Sequence, residues 1–251
     1  TNTLVILSQL GHRCRWGGVW VDEADAQLIL ADLAAHEIDI SGCRIESQGK
    51  MPTSYITLNQ SNGSRTIIHY RNLTEFSWAD FQRIDLSTVD WIHFEGRNVA
   101  ETRQMLQWCC QQQPHIRLSL EVEKPRPQIE TLFAFVEVLL FSRVWAQHCG
   151  YQQAPSFLQA MRAIVAQAQL ICAWGAQGSY ALTTAGALIH APAFPPPQII
   201  DTIGAGDTFN AGIIDSLSRH ANVQQALEYA NRLAGYKCGQ LGLVIKDYPE
   251  L

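Results

Sequence analysis

The stretch Ile199-Ile200-Asp201-Thr202-Ile203-Gly204-Ala205-Gly206-Asp207-Thr208-Phe209-Asn210 runs from an apolar pair through two glycines into a segment carrying Ile213, Ile214 and Leu217. This pattern predicts a strand ending at Ile200, a tight turn and a helix. Glycine at 204 and 206 lets the backbone turn sharply and come close to a ligand. The first N–H groups of the helix have no intrahelical partner, so its N-terminus suits an anion. An acid in that pocket repels the phosphate its amides attract. Asp207 therefore reads as a base beside a phosphoryl group, taking the proton of an attacking hydroxyl. The spacing alone fits equally an ordinary turn with Asp207 as a first-turn acid favoured by the helix dipole.

Working outward, short apolar runs alternate with helical patterns from Trp91 onward. Trp91 to Phe94 reads as a strand. Val99, Leu106, Cys109 and Cys110 share a helix face. Ile116, Leu118, Leu120 and Val122 alternate with Arg117, Ser119 and Glu121, a strand with two unlike faces. Val138 to Phe141 is a further apolar run. Phe157, Met161, Ile164, Val165 and Ala168 form a helix stripe opening near Pro155, and Leu170 to Trp174 is the next strand. This order predicts an α/β fold with a mostly parallel sheet flanked by helices. Asn222 and Gln225 form a capping-box pattern at the head of a helix predicted over Val223 to Lys237. A different signal sits earlier: the β-rich runs Ser54 to Leu58 and Thr66 to Tyr70 flank the turn-rich segment from Asn59 to Ser64, which predicts a hairpin. Residues 54–70 are thus a candidate lid or a plain edge hairpin.

Composition narrows the function classes. The 251 residues are 47% hydrophobic and 16% charged, with a formal charge of −5. That apolar share supports a large core, and the acidic balance argues against a nucleic-acid partner. The most apolar stretch, Ile129 to Phe141, contains Glu130 and Glu137 and is shorter than the roughly 20 residues of a membrane helix. No membrane partner is expected. Seven cysteines without a C-x-x-C pair favour reduced thiols and a cytoplasmic setting. The sequons at Asn62 and Asn72 read as chance, since no signal peptide is present.

The string Asp201-Thr-Ile-Gly-Ala-Gly-Asp207 resembles the C-terminal signature of the ribokinase-like, or PfkB, carbohydrate kinases. Trp91-Ile-His-Phe-Glu-Gly-Arg-Asn98, Glu121-Val-Glu-Lys-Pro-Arg126, Ala193-Phe-Pro-Pro-Pro197 and Ala234-Gly-Tyr-Lys-Cys-Gly239 resemble its ketohexokinase branch. The resemblance spans nearly the whole chain. It implies one ribokinase-like domain over residues 1–251 with a small β lid, and transfer of phosphate from ATP to the C1 hydroxyl of a ketohexose such as fructose. Kinases of another sugar or polyol, and nucleotide binding without catalysis, remain alternatives.

The resemblance also implies roles. Asp207 would be the base, in contact with the sugar, and the amides of Gly204, Ala205 and Gly206 would form the anion hole. Asn2 would contact the sugar. Arg65, Gly175-Ala176-Gln177-Gly178, Asn210, Gly235 and Cys238 would bind the nucleotide. Read on their own, Arg65 is a solvated strand-edge charge, Gly175 and Gly178 are turn glycines, Asn210 is a structural polar group and Cys238 is a buried thiol. ATP and Mg²⁺ are the implied cofactors, with K⁺ as a further candidate, and a homodimer through the lid is the implied assembly. Any of Glu95, Glu121 and Glu123, near strand ends, could orient hydrated Mg²⁺; no metal ligand is assigned. The family's N-x-x-E motif falls on Ser142-Arg143-Val144-Trp145, which has neither residue. Family members also open with an Asp-bearing strand, half of the lid and a Gly-Gly-Asn turn, none of which precedes Thr1. The expectation is a domain lacking its first strand, either a piece of a longer protein or a truncated form.

Overall fold

The apolar run near the start folds as α1 (Asn2–Gln9) and sends Val5, Ile6 and Leu7 into the core. The computed structural model describes residues 1–58, 65–245 and 248, and the chain divides into two units, Thr1–Cys14 with Asp85–Leu251, and Arg15–Ile84. In the smaller unit β1 (Val19–Val21) pairs in parallel with β2 (Arg44–Glu46) across the connecting α2 (Ala24–Ala35). The predicted hairpin follows as β3 (Lys50–Leu58) and β4 (Arg65–Asn72), with Ser54 opposite His69 and Leu58 opposite Arg65. Both arms are longer than the sequence pattern indicates. A register shift between Lys50 and Thr53 marks a bulge. The turn at 59–64, with its Asn62 sequon, lies outside the described residues. A short α3 (Trp78–Phe81) is closed by a capping box between Ser77 and Asp80.

The larger unit continues with β5 (Trp91–Glu95), α4 (Val99–Gln112), β6 (Arg117–Val122), β7 (Val138–Ser142), α5 (Arg143–His148), α6 (Ala154–Ile164) and β8 (Gln169–Ala173). After it come β9 (Ser179–Leu182), β10 (Leu188–Ala191), α7 (Ala205–Ser218) and α8 (Val223–Cys238). The sheet order is β10-β9-β8-β7-β6-β5, with β5 to β8 parallel and β9 and β10 antiparallel. One face packs on α7 and α8 through Val138, Leu140, Ile171, Phe209, Ile213 and Leu227. Near the other face, Phe133, Phe141, Trp145 and Phe157 stack and meet edge to face at centroid distances of 5.0 to 5.9 Å. Among the described residues no helix is long and apolar enough to cross a membrane.

Two expectations need correction. Ile199-Ile200 is not a strand; both residues are exposed, and the Ile200 amide donates to the carbonyl of Cys238 at the end of α8. Their apolarity covers no core, so the run imitates a strand by composition alone. The helix through Phe157 ends at Ile164, so Val165 and Ala168 are buried beyond it, where Arg162 donates to the carbonyls of Val165, Ala166 and Ala168. The two faces of β6 are chemically unlike, as its alternation indicates, and the groups of the polar face are taken up by partners. Arg117 stacks 4.3 Å over Trp91 and donates to the Leu217 carbonyl at the end of α7. Ser119 is fully buried and accepts from Trp91 Nε1, and Glu121 accepts from Asn210 on α7. A polar stripe can be interior when each group finds a partner.

Candidate active site

α7 begins where the glycine turn said it should. Gly204 is its N-cap with φ +78°, a left-handed conformation that costs glycine nothing. A side chain there would also strike Leu243 at 2.5 Å. At Gly206 a Cβ would meet nothing within 4 Å, so the first turn of α7 opens onto free space. Of the three amides expected to hold an anion, that of Ala205 leans toward the Thr202 carbonyl at 3.3 Å.

Asp207 lies in this first turn and is half-buried. Asn2 Nδ2 donates to its Oδ2 at 3.1 Å, and Thr3 Oγ1 to its Oδ1 at 3.4 Å. Desolvation raises its pKa above the ordinary carboxylate value, the nearby Glu95 adds to the rise, and the two donors oppose it. α1 thus supplies the groups that orient the carboxylate, and it is fastened along its length. Gln9 donates to the Leu243 carbonyl and accepts from the Ile245 amide. Beyond it, His12 and Arg219 each reach Asp215 Oδ1 at 2.8 Å, and Arg219 also donates to the Leu10 carbonyl. Those partners hold Asp215 below the usual carboxylate range although burial pushes the other way.

One turn past Asp207, Asn210 is 5% exposed and donates to Glu121 Oε1 at 2.9 Å. Burial, together with the charges of Asp207, Glu95 and Glu123, pushes Glu121 up to about 7 against this hydrogen bond. The end of β6 therefore carries an acid with unrelieved repulsion beside the candidate base. Ser142, in place of the family's motif Asn, caps α5 and donates to the Glu123 carbonyl. Among the described residues no three His, Cys, Asp or Glu side chains converge to hold a metal ion directly.

The expected nucleotide residues other than Arg65 fall at several places in the same unit. Gly175-Ala176-Gln177 is an exposed 3-10 turn after β8, with Gly175 at φ +60°. Gly178 is buried at φ +88°, and a Cβ would lie 2.1 Å from the Ala191 carbonyl, so packing requires it. Gly235 is under the same constraint, with a Cβ falling 1.7 Å from the Phe194 carbonyl. Cys238 ends α8; burial raises its thiol, and its carbonyl accepts from Ile200 and Asp201. Arg65 is in β4 of the other unit, and its side chain lies outside the described residues. Two contributors escaped the sequence reading. Thr3 offers no spacing signal, and Lys237 entered only as the last residue of the predicted helix.

The chain matches the pfkB family of carbohydrate kinases across residues 1–250. It belongs to that family. It is 42% identical to the ketohexokinase of Mus musculus over 250 residues, covering 96% of this chain and 84% of the mouse protein. The ribokinase of Giardia lamblia superimposes with a TM-score of 0.84 at 15% identity, over 96% of this chain and 83% of that one. A fructokinase from Vibrio cholerae O395 does so at 0.76 and 17%, over 96% and 84%. At those identities the structures speak for the fold, which is ribokinase-like. A PfkB carbohydrate kinase is an ATP-dependent enzyme acting on sugar, so the alternative of nucleotide binding without catalysis gives way to an enzyme.

Proposed function

We propose that this PfkB kinase transfers the γ-phosphoryl group of ATP to the C1 hydroxyl of a ketohexose such as fructose, yielding the 1-phosphate and ADP. The observation that carries the reading is the Asp207 carboxylate, oriented by Asn2 and Thr3 in the first turn of a glycine-led helix. The kinship with mouse ketohexokinase supports the ketose and the C1 position.

In this reading Asp207 takes the hydroxyl proton as the oxygen attacks in line, and its raised pKa makes it a stronger base than an exposed aspartate. Asn2 holds the sugar beside it. The amides of residues 204–206 stabilise charge on the transferred group, with Gly206 best placed because open space adjoins it. Gly175 to Gly178, Asn210, Gly235, Cys238 and the Arg65 side chain would bind the nucleotide. Mg²⁺ supplies charge neutralisation on the phosphates when bound. The residues fit it: Glu121 and Glu123 offer hard oxygen donors, and a cation favours the charged form of Glu121 that burial and the neighbouring carboxylates disfavour. With no three-ligand cluster, they would hold it through its water shell. K⁺ stays a candidate cofactor without assigned residues.

The exposed Tyr55, Ile68 and Tyr70 on the β3–β4 hairpin support a homodimer through this sheet. The free cysteines, all seven without disulfides, suit a reducing cytoplasm. The test of function is ADP release across a panel of ketoses, aldoses and polyols, with the product position read by NMR. Fructose should lead and give the 1-phosphate; preference for another sugar or position would overturn the assignment.

A further inference from the structure

Among the described residues Lys237 is the one lysine with a fully buried side chain, at 0% exposure at the end of α8. A buried ammonium costs several kcal/mol unless its donors are met. Its Nζ donates to the carbonyl of Asp201 at 2.8 Å and to Asp201 Oδ2 at 3.1 Å. Asp201 in turn accepts from the amide of Ile203 on Oδ1 and from Gly242 on Oδ2. Its own amide, with that of Ile200, donates to the Cys238 carbonyl. One carboxylate and one ammonium thus join three segments: the turn into α7, the end of α8, and the 242–243 loop whose Leu243 touches the space over Gly204.

We propose that Lys237 is a positioning residue, an internal cation that fixes the turn carrying the 204–206 amides so that they meet the terminal phosphate of ATP. The inference rests on reading those amides as the phosphate cradle. Lys237 touches no reacting atom. It acts on the cradle through the Asp201 carbonyl and carboxylate, and its charge favours an ionised Asp201, whose pKa is lowered by Ile203, Lys237 and Gly242 against desolvation. A merely structural lysine would affect folding and leave the preference for ATP over ADP alone, because ADP lacks the phosphate the cradle is built to meet.

The experiment is calorimetric titration of the full chain with ATP and with ADP in Mg²⁺, for wild type and Lys237→Met, with thermal unfolding recorded on each. Losing a charge-assisted brace should weaken ATP by about tenfold and ADP by less than about twofold. Equal weakening of both nucleotides, or no weakening, overturns the proposal. If Lys237→Met does not fold, the double variant Lys237→Met/Asp201→Asn removes both buried charges and keeps an acceptor for Ile203. The same ATP-selective loss is expected from it, and ATP affinity like wild type refutes the role. A wild type that binds no ATP sinks the kinase reading itself; one that binds ATP while both variants match it sinks only Lys237.

Discussion

Replacing Glu121 with Gln should stabilise the metal-free protein at pH 8 and leave it unchanged near pH 4.5. In the folded chain burial and the charges of Asp207, Glu95 and Glu123 raise Glu121 from 4.5 to about 7. A raised acid binds its proton more tightly folded than unfolded. Between pH 4.5 and 7 the folded state therefore holds the extra proton, and stability falls as pH rises through this window. The full shift corresponds to about 3 kcal/mol lost by pH 8. Gln keeps an oxygen to accept from Asn210, and the charge assistance of that bond is already contained in the shift. The gain is therefore about 3 kcal/mol, or roughly 6–12 °C in Tm for a protein of this size. Scanning calorimetry of both proteins in EDTA from pH 4.5 to 8 reads the difference directly. A flat difference across the range, or a Gln variant that loses ground as pH rises, would refute the argument that Glu121 sits in unrelieved repulsion.

Asp207→Asn preserves the contacts from α1 in shape and removes the base, so kcat should fall by roughly 10² to 10⁴ with ADP affinity unchanged, measured by coupled turnover and calorimetry. Normal turnover would exclude the base. Gly235→Ala drives a methyl into the Phe194 carbonyl, a backbone atom that cannot rotate away, and should cost about 1–3 kcal/mol in denaturant unfolding while weakening nucleotide. Asn222→Ala deletes the cap on the Gln225 amide and should cost about 1 kcal/mol by the same measurement, with turnover per folded molecule intact.

The parts of the molecule that were legible before any coordinates are those governed by local rules. Periodicity marked the parallel strands, the capping box marked the start of α8, and Asn-Gly marked the hairpin, because each signal is complete within a few residues. What escaped shows where local rules end. Ile199-Ile200 has strand composition without strand neighbours, and no neighbour is visible from composition. The partners of Arg117, Ser119 and Glu121 could not be read, because alternation reports two environments without saying what covers either.

The site divides along the same line. The glycine turn and Asp207 could be read because backbone conformation and helix-end electrostatics demand those residue types at that spacing. Their supports could not. Thr3 reaches Asp207 across 204 positions of sequence, Asn210 meets Glu121 across 89, and Lys237 meets Asp201 across 36. A lysine in the last turn of a helix is ordinarily a solvated cation favoured by the dipole. Only the arrival of the Asp201 turn over the end of α8 removes it from water. The proposed base is therefore written in local sequence, and its orientation is written in contacts that folding alone creates, so variants that blunt turnover without touching substrate should be sought first at Lys237 and Glu121.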